Sequence, residues 1–168
     1  MAGTLVVQTL QGPTSGANAN KILLGSGQEL YAPGHVVQVV QGSTTSKVTT
    51  TSATYTDTTL SASITPSSTS SKVLISVNQS LYNSGTANGN LRIVKDSTTL
   101  ITQGYAPWDG VGFLSWVTFS YLDSPSTTSA ITYKTTFARN SGSGDLIANF
   151  SSGAEDMTSY ITVMEIAG

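Results

Sequence analysis

The chain has 168 residues, no cysteine, one histidine and a formal net charge of −2. Charged residues make up 10% of it, against about 25% in an ordinary soluble domain, while 25 Ser, 26 Thr and 15 Asn or Gln supply most of the polar surface. Disulfide scaffolds, cysteine-ligated metals and thiol nucleophiles are therefore excluded, and nucleic-acid binding, which needs clustered cations to release counterions, is disfavoured.

The first 35 residues stand apart. Lys21, Glu29 and His35 are their only charged or near-neutral titrating side chains. Two apolar bursts, Leu5-Val6-Val7 with Leu10 close behind and Ile22-Leu23-Leu24, flank a polar loop from Gln11 to Asn20. Thirty-odd residues cannot bury a core of their own. Residues 1–35 are thus expected to be a docking segment for the chain's own sandwich, a sister subunit or another protein, with Leu5, Val6, Val7, Leu10, Ile22, Leu23 and Leu24 as its contacts. The start MAGTLVV lacks the basic and long apolar regions of a secretory signal. It reads as a cytoplasmic translation start. No apolar run approaches the ~20 residues of a membrane span, so no membrane insertion is expected.

Residues 36–168 read as one β-domain. The Gly/Ser/Thr-rich stretch Gln41 to Lys47 is expected to be a hinge, and the Thr-dense continuation to Asp57 an exposed or edge strand. Ser67 to Ser71 is expected to turn. Val73, Ile75 and Val77 then alternate with Leu74, Ser76 and Asn78. Asn83-Ser84-Gly85 and Asn88-Gly89 lead into Leu91-Arg92-Ile93-Val94, and Asp96-Ser97 can close a hairpin into Thr98–Thr102. Pro107-Trp108-Asp109-Gly110 precedes the longest run, in which Phe113, Ser115, Val117, Phe119 and Tyr121 share a face. Ile131, Tyr133, Thr135 and Phe137 form another alternating set. Asn140 to Gly144 turns the chain, and Tyr160, Thr162, Met164 and Ile166 alternate with Ile161, Val163 and Glu165. Period-two alternation of β-branched and aromatic residues, punctuated by Gly, Pro, Asn and Asp, specifies short antiparallel strands in a sandwich or barrel.

Four stretches carry a resemblance: MAGTLVVQTLQGPTSGANANKILL at the start, SASITPSSTSSKVLISVNQSL, YLDSPSTTSAITYK from Tyr121, and the closing ITVMEIAG. They resemble small virion structural proteins of marine bacteriophages, of the tail-fibre and head-fibre or decoration type. The resemblance spans almost the whole chain, through packing and turn motifs rather than chemical ones. It implies a homotrimeric antiparallel β-sandwich of jelly-roll type on the virion surface, anchored by its N-terminal segment to phage capsid or tail proteins. The short chain, with no shaft repeat, tilts the expectation to a head decoration or cement protein. The alternative is a short tail fibre or a module that binds a host glycan or receptor.

Few groups suit catalysis, and no catalytic, cofactor or metal site is expected. His35 is alone, and a Ser-His-Asp system needs a base oriented by a carboxylate. Glu155-Asp156 are adjacent in a loop rather than ~5–10 Å apart across a cleft. Asp57, Asp96, Asp109 and Asp123 sit in turn contexts and are expected to cap turns. Gly25-Ser26-Gly27, Gly110-Val111-Gly112 and Gly142-Ser143-Gly144 do not complete a phosphate-binding fingerprint. Asp145 and Glu155-Asp156 lack the ligand spacing of a calcium loop. Asn78-Gln79-Ser80 and Asn149-Phe150-Ser151 match the glycosylation pattern by chance in a chain made in a bacterium. Tyr105, Trp108 and Asp109, around the Pro107 turn, form the candidate recognition surface, because an exposed Trp can stack on a sugar or anchor an interface.

Overall fold

A computed structural model describes residues 13–17, 32–105, 112–150 and 157–168. Contacts divide the chain into Met1–Ala32 and Pro33–Gly168. The docking residues Leu5, Val6, Val7, Leu10, Ile22, Leu23 and Leu24 lie outside the described residues. In the first unit the described stretch 13–17 is a bend and turn with Gly16 at positive φ.

The second unit is all-β. Its strands are β1 (Val36–Thr44), β2 (Val48–Thr50), β3 (Thr56–Ile64), β4 (Lys72–Asn83), β5 (Asn88–Lys95), β6 (Thr98–Tyr105), β7 (Phe113–Asp123), β8 (Ile131–Ser141), β9 (Leu146–Ala148) and β10 (Ser159–Ile166). Every pairing is antiparallel. In sheet A, β4 pairs with β7 along one edge, and with β10 and then β9 along the other; β1 pairs β10 and β2 pairs β9. Sheet B runs β3-β8-β5-β6. If β1 with β2, and β9 with β10, each count as one interrupted strand, eight strand positions remain. Four fall in each sheet, in the order first-eighth-third-sixth and second-seventh-fourth-fifth. That order is the double Greek key of a jelly roll, so the all-β sandwich expected from the sequence is the observed fold.

The core lies between the sheets. Leu60 and Ile64 of β3, Ile75, Val77 and Leu81 of β4, Leu91 and Ile93 of β5, Tyr133 and Phe137 of β8, and Ile161 and Val163 of β10 are buried in it. Alternate residues point outward, as the two-residue period requires. On β7 the face of Val117, Phe119 and Tyr121 is the inner one: Val117 is buried, and Phe119 and Tyr121 pack against the core.

Several local expectations need correction. Gln41 to Lys47 is no hinge. β1 continues to Thr44, and Gly42 faces sheet B so closely that a Cβ there would lie 1.8 Å from the Ser61 carbonyl oxygen. Its glycine is a close-approach residue rather than a flexible one. Pro33 to His35 belong with the sandwich: the Gly34 N–H donates to the Ala167 carbonyl, and the Ala167 N–H to the His35 carbonyl. The turn read from Asn140 to Gly144 is shorter: β8 runs through Ser141, and the chain turns at 142–144. Gly142 has a φ of 79°, and a Cβ there would meet the Thr86 carbonyl oxygen at 2.0 Å.

Candidate functional site

Tyr105, read from sequence as part of an exposed recognition surface, is only 6% exposed. Its ring joins the core, and its hydroxyl donates to the Phe113 carbonyl at 3.0 Å. Burial raises its pKa to about 12. The reason is positional: Tyr105 ends β6 with its side chain on the inward parity, so the aromatic completes the sandwich instead of facing solvent. Trp108 and Asp109 lie outside the described residues, as do Glu155 and Asp156.

The acidic groups are held by neighbours. Asp57 accepts from the Thr59 N–H and pairs with Lys134 at 2.8 Å. Asp96 has a φ of 52° in the β5–β6 hairpin, and its carboxylate accepts from the Thr132 N–H. Asp57 thus serves its own local backbone, while the Asp96 carboxylate holds the start of β8 instead of capping its own turn. Asp123 does not cap a turn. It is buried at the end of β7, where it pairs with Lys95 at 3.0 Å and accepts from the Tyr133 hydroxyl at 2.8 Å. Burial, reinforced by that bond to Asp123, pushes the Tyr133 hydroxyl upward.

Among the described residues Glu165 has no lysine or arginine in salt-bridge contact, yet it is fully buried. Burial alone would raise its pKa. Hydrogen bonds from the Gln38 amide, the Ser67 hydroxyl and N–H, and Ser71 overcome that and lower it to about 2. Dense donation to the charged form is the cause. Among the described residues no group of three or more His, Cys, Asp or Glu could hold a metal ion.

One feature of the interior escaped the sequence reading. Thr58, Gln79, Thr135 and Asn149 are all fully buried and form a closed ring of hydrogen bonds. The Thr58 and Thr135 hydroxyls bond each other. Thr135 donates to the Gln79 carbonyl at 2.8 Å, Gln79 donates to the Asn149 carbonyl at 2.9 Å, and the Asn149 amide returns to the Thr58 backbone carbonyl at 2.7 Å. A bulge in β3 makes this work. Asp57 pairs with Thr136 and Ser61 with Lys134, so β3 spends four steps where β8 spends two. The extra residues, with Thr59 at a φ of 67°, aim Thr58 inward. Asn149, noted in the sequence only as a chance glycosylation match, commits its amide to this ring.

The two outer faces differ sharply. The strands of sheet B carry Asp57, Arg92, Lys95, Lys134 and Arg139. Arg92 lies over the Tyr55 ring with its guanidinium carbon 3.2 Å from the centroid. The strands of sheet A carry Lys72, Asp123 and Glu165, and the last two are buried inward. All seven exposed large hydrophobics among the described residues, Val36, Val37, Val39, Phe113, Trp116, Leu122 and Tyr160, belong to sheet A. On its outer face Val39, Met164, Leu74 and Leu122 are successive cross-strand partners from β1 through β10 and β4 to β7, and they form one apolar row. The next two rows inward are mostly hydroxyl and amide: Gln41, Thr162, Ser76 and Ser120, then Ser43, Tyr160, Asn78 and Thr118. Beyond them Leu114, Tyr82 and Ile147 line up, with Phe150 stacked on Tyr82 at 4.2 Å.

Fold and surface together define a jelly-roll β-sandwich whose described part concentrates its apolar exposure on one sheet. No protein-family model matches the chain, and no curated protein matches it. Among solved structures, it is similar to a chain from infectious bursal disease virus, Gt strain, at 13% identity and a TM-score of 0.42, over 90% of this chain and 44% of that one. It is also similar to a chain of the infectious bursal disease virus VP2 subviral particle, at 14% identity and a TM-score of 0.41, over 93% of this chain and 46% of that one. The protein thus spans less than half the length of these chains.

Proposed function

We propose that the protein is a non-enzymatic structural component of a bacteriophage virion: a homotrimeric head decoration protein that docks through its N-terminal segment and displays the jelly roll. The observation that carries this reading is the division of the chain. A jelly roll with a packed interior follows a separate, charge-poor unit of about thirty residues. The four sequence stretches that resemble phage decoration and fibre proteins support it. So does the state of four of the five described carboxylates, Asp57, Asp96, Asp123 and Glu165, each engaged by hydrogen-bond donors. The tail-fibre or glycan-binding alternative loses Tyr105 from its recognition surface, because that ring is in the core.

The test is deletion of residues 2–12 in the phage genome. The expected result is loss of the protein from purified particles, while the truncated chain remains soluble and β-rich. Incorporation at wild-type copy number would overturn the docking claim. Electron microscopy of particles carrying a tagged copy separates head from tail.

A further inference from the structure

We infer that copies of this chain associate through the outer face of sheet A. Three observations converge on it. Of the exposed large hydrophobics among the described residues, Val36, Val39, Trp116, Leu122 and Tyr160 alternate onto this face. Of the three charged residues on its strands, only Lys72 is exposed; Asp123 and Glu165 are buried. The apolar side chains are also contiguous, since Val39, Met164, Leu74 and Leu122 are direct cross-strand neighbours, with Ile166 and Val36 paired in the adjoining row. Val39 is 56% and Leu122 49% exposed, and contiguous apolar exposure of this kind marks an interaction surface.

The occupant is a second copy, on grounds of area and pattern. Four strand positions spaced about 4.8 Å apart, each about 11 residues long at about 3.3 Å per residue, make a face of roughly 700 Å². That is close to the ~800 Å² one partner contributes to a standard interface. Apolar rows at both ends enclose the hydroxyl and amide rows. A copy turned through a two-fold axis lying in this face therefore sets apolar on apolar and neutral polar on neutral polar. A self-complementary face needs no opposite charge on its partner, and this one offers almost none. A two-fold contact pairs copies, so it is distinct from the three-fold contact of the proposed trimer. The inference concerns the isolated protein and does not depend on where it sits on a particle.

The experiment is the mass of the purified full chain by sedimentation, for wild type, Leu122→Asp, Val39→Asp, and a control on the outer face of sheet B, Ser63→Asp. Wild type and Ser63→Asp are expected as oligomers at about 10 μM. Leu122→Asp and Val39→Asp are expected at half the wild-type mass with wild-type circular dichroism, the dissociation constant of the pairing being raised at least about tenfold. Two outcomes overturn the proposal. One is a wild-type chain that stays monomeric at about 100 μM, which would hand the face to a different protein. The other is an oligomer unchanged in both sheet A variants, which would place the contact elsewhere. Should either aspartate variant fail to fold, Leu122→Ser and Val39→Thr carry the same test at lower cost to the strand.

Discussion

Replacing Asn149 by Ala tests the internal ring most directly. The Asn149 side chain accepts from Gln79 and donates to the carbonyls of Thr58 and Ser46. Ser46 is exposed and recovers water, but Gln79 and Thr58 are fully buried. Each buried group left without a partner costs about 1–3 kcal/mol. Asn149 also has a φ of 55°, where alanine costs about a further 1 kcal/mol. The expected loss is roughly 3–7 kcal/mol, a large part of the ~5–15 kcal/mol that holds a domain together. Urea denaturation followed by circular dichroism, at one fixed protein concentration, measures it. Asn149→Gly removes the backbone part, so it should recover about 1 kcal/mol relative to alanine. A loss below about 1 kcal/mol for Asn149→Ala, with the denaturant slope unchanged, would refute the ring as a source of stability.

Further outcomes follow from the same bookkeeping of buried polar atoms. The Ser80 hydroxyl is the one buried side-chain polar atom without a partner among the described residues; Ser80→Ala should be neutral or stabilise by up to about 1 kcal/mol, and a clear loss in the same denaturation assay would reveal a missed bond. Glu165 has a carboxyl lowered to about 2 from 4.5, so its stabilisation is fully present above about pH 4.5 and is lost as pH falls towards 2. Glu165→Gln should therefore lower stability at pH 7 and flatten the decline between pH 4.5 and 2. Identical pH slopes in the two proteins would show that other groups govern acid unfolding.

The strands of the jelly roll were legible because their signal is local. Val73, Ile75 and Val77, or Ile131, Tyr133, Thr135 and Phe137, alternate within one segment, and the turns between them contain residues with a backbone reason to be there. The ring of Thr58, Gln79, Thr135 and Asn149 was not legible. Its members come from β3, β4, β8 and the loop after β9, and each is an ordinary polar residue until the fold brings it to the others. Asp123 illustrates the same limit: its neighbours Ser124 and Pro125 suggested a turn cap, while its partners Lys95 and Tyr133 come from other strands. Tyr105 was misjudged because an aromatic beside a Pro-Trp-Asp-Gly turn says nothing about which way its strand faces.

What the sequence determined by itself was therefore the strand composition, the turn positions, the scarcity of charge and the contrast between residues 1–35 and the rest. Only the tertiary structure decided which face of each strand is core. β7 shows why: Val117, Phe119 and Tyr121 alternate with Leu114, Trp116 and Leu122, and both sets are apolar enough to be buried. Period two separates the two faces of a strand but does not rank them. The ranking comes from the opposing sheet, which covers one set and leaves the other, with the apolar row from Val39 to Leu122, on the outside.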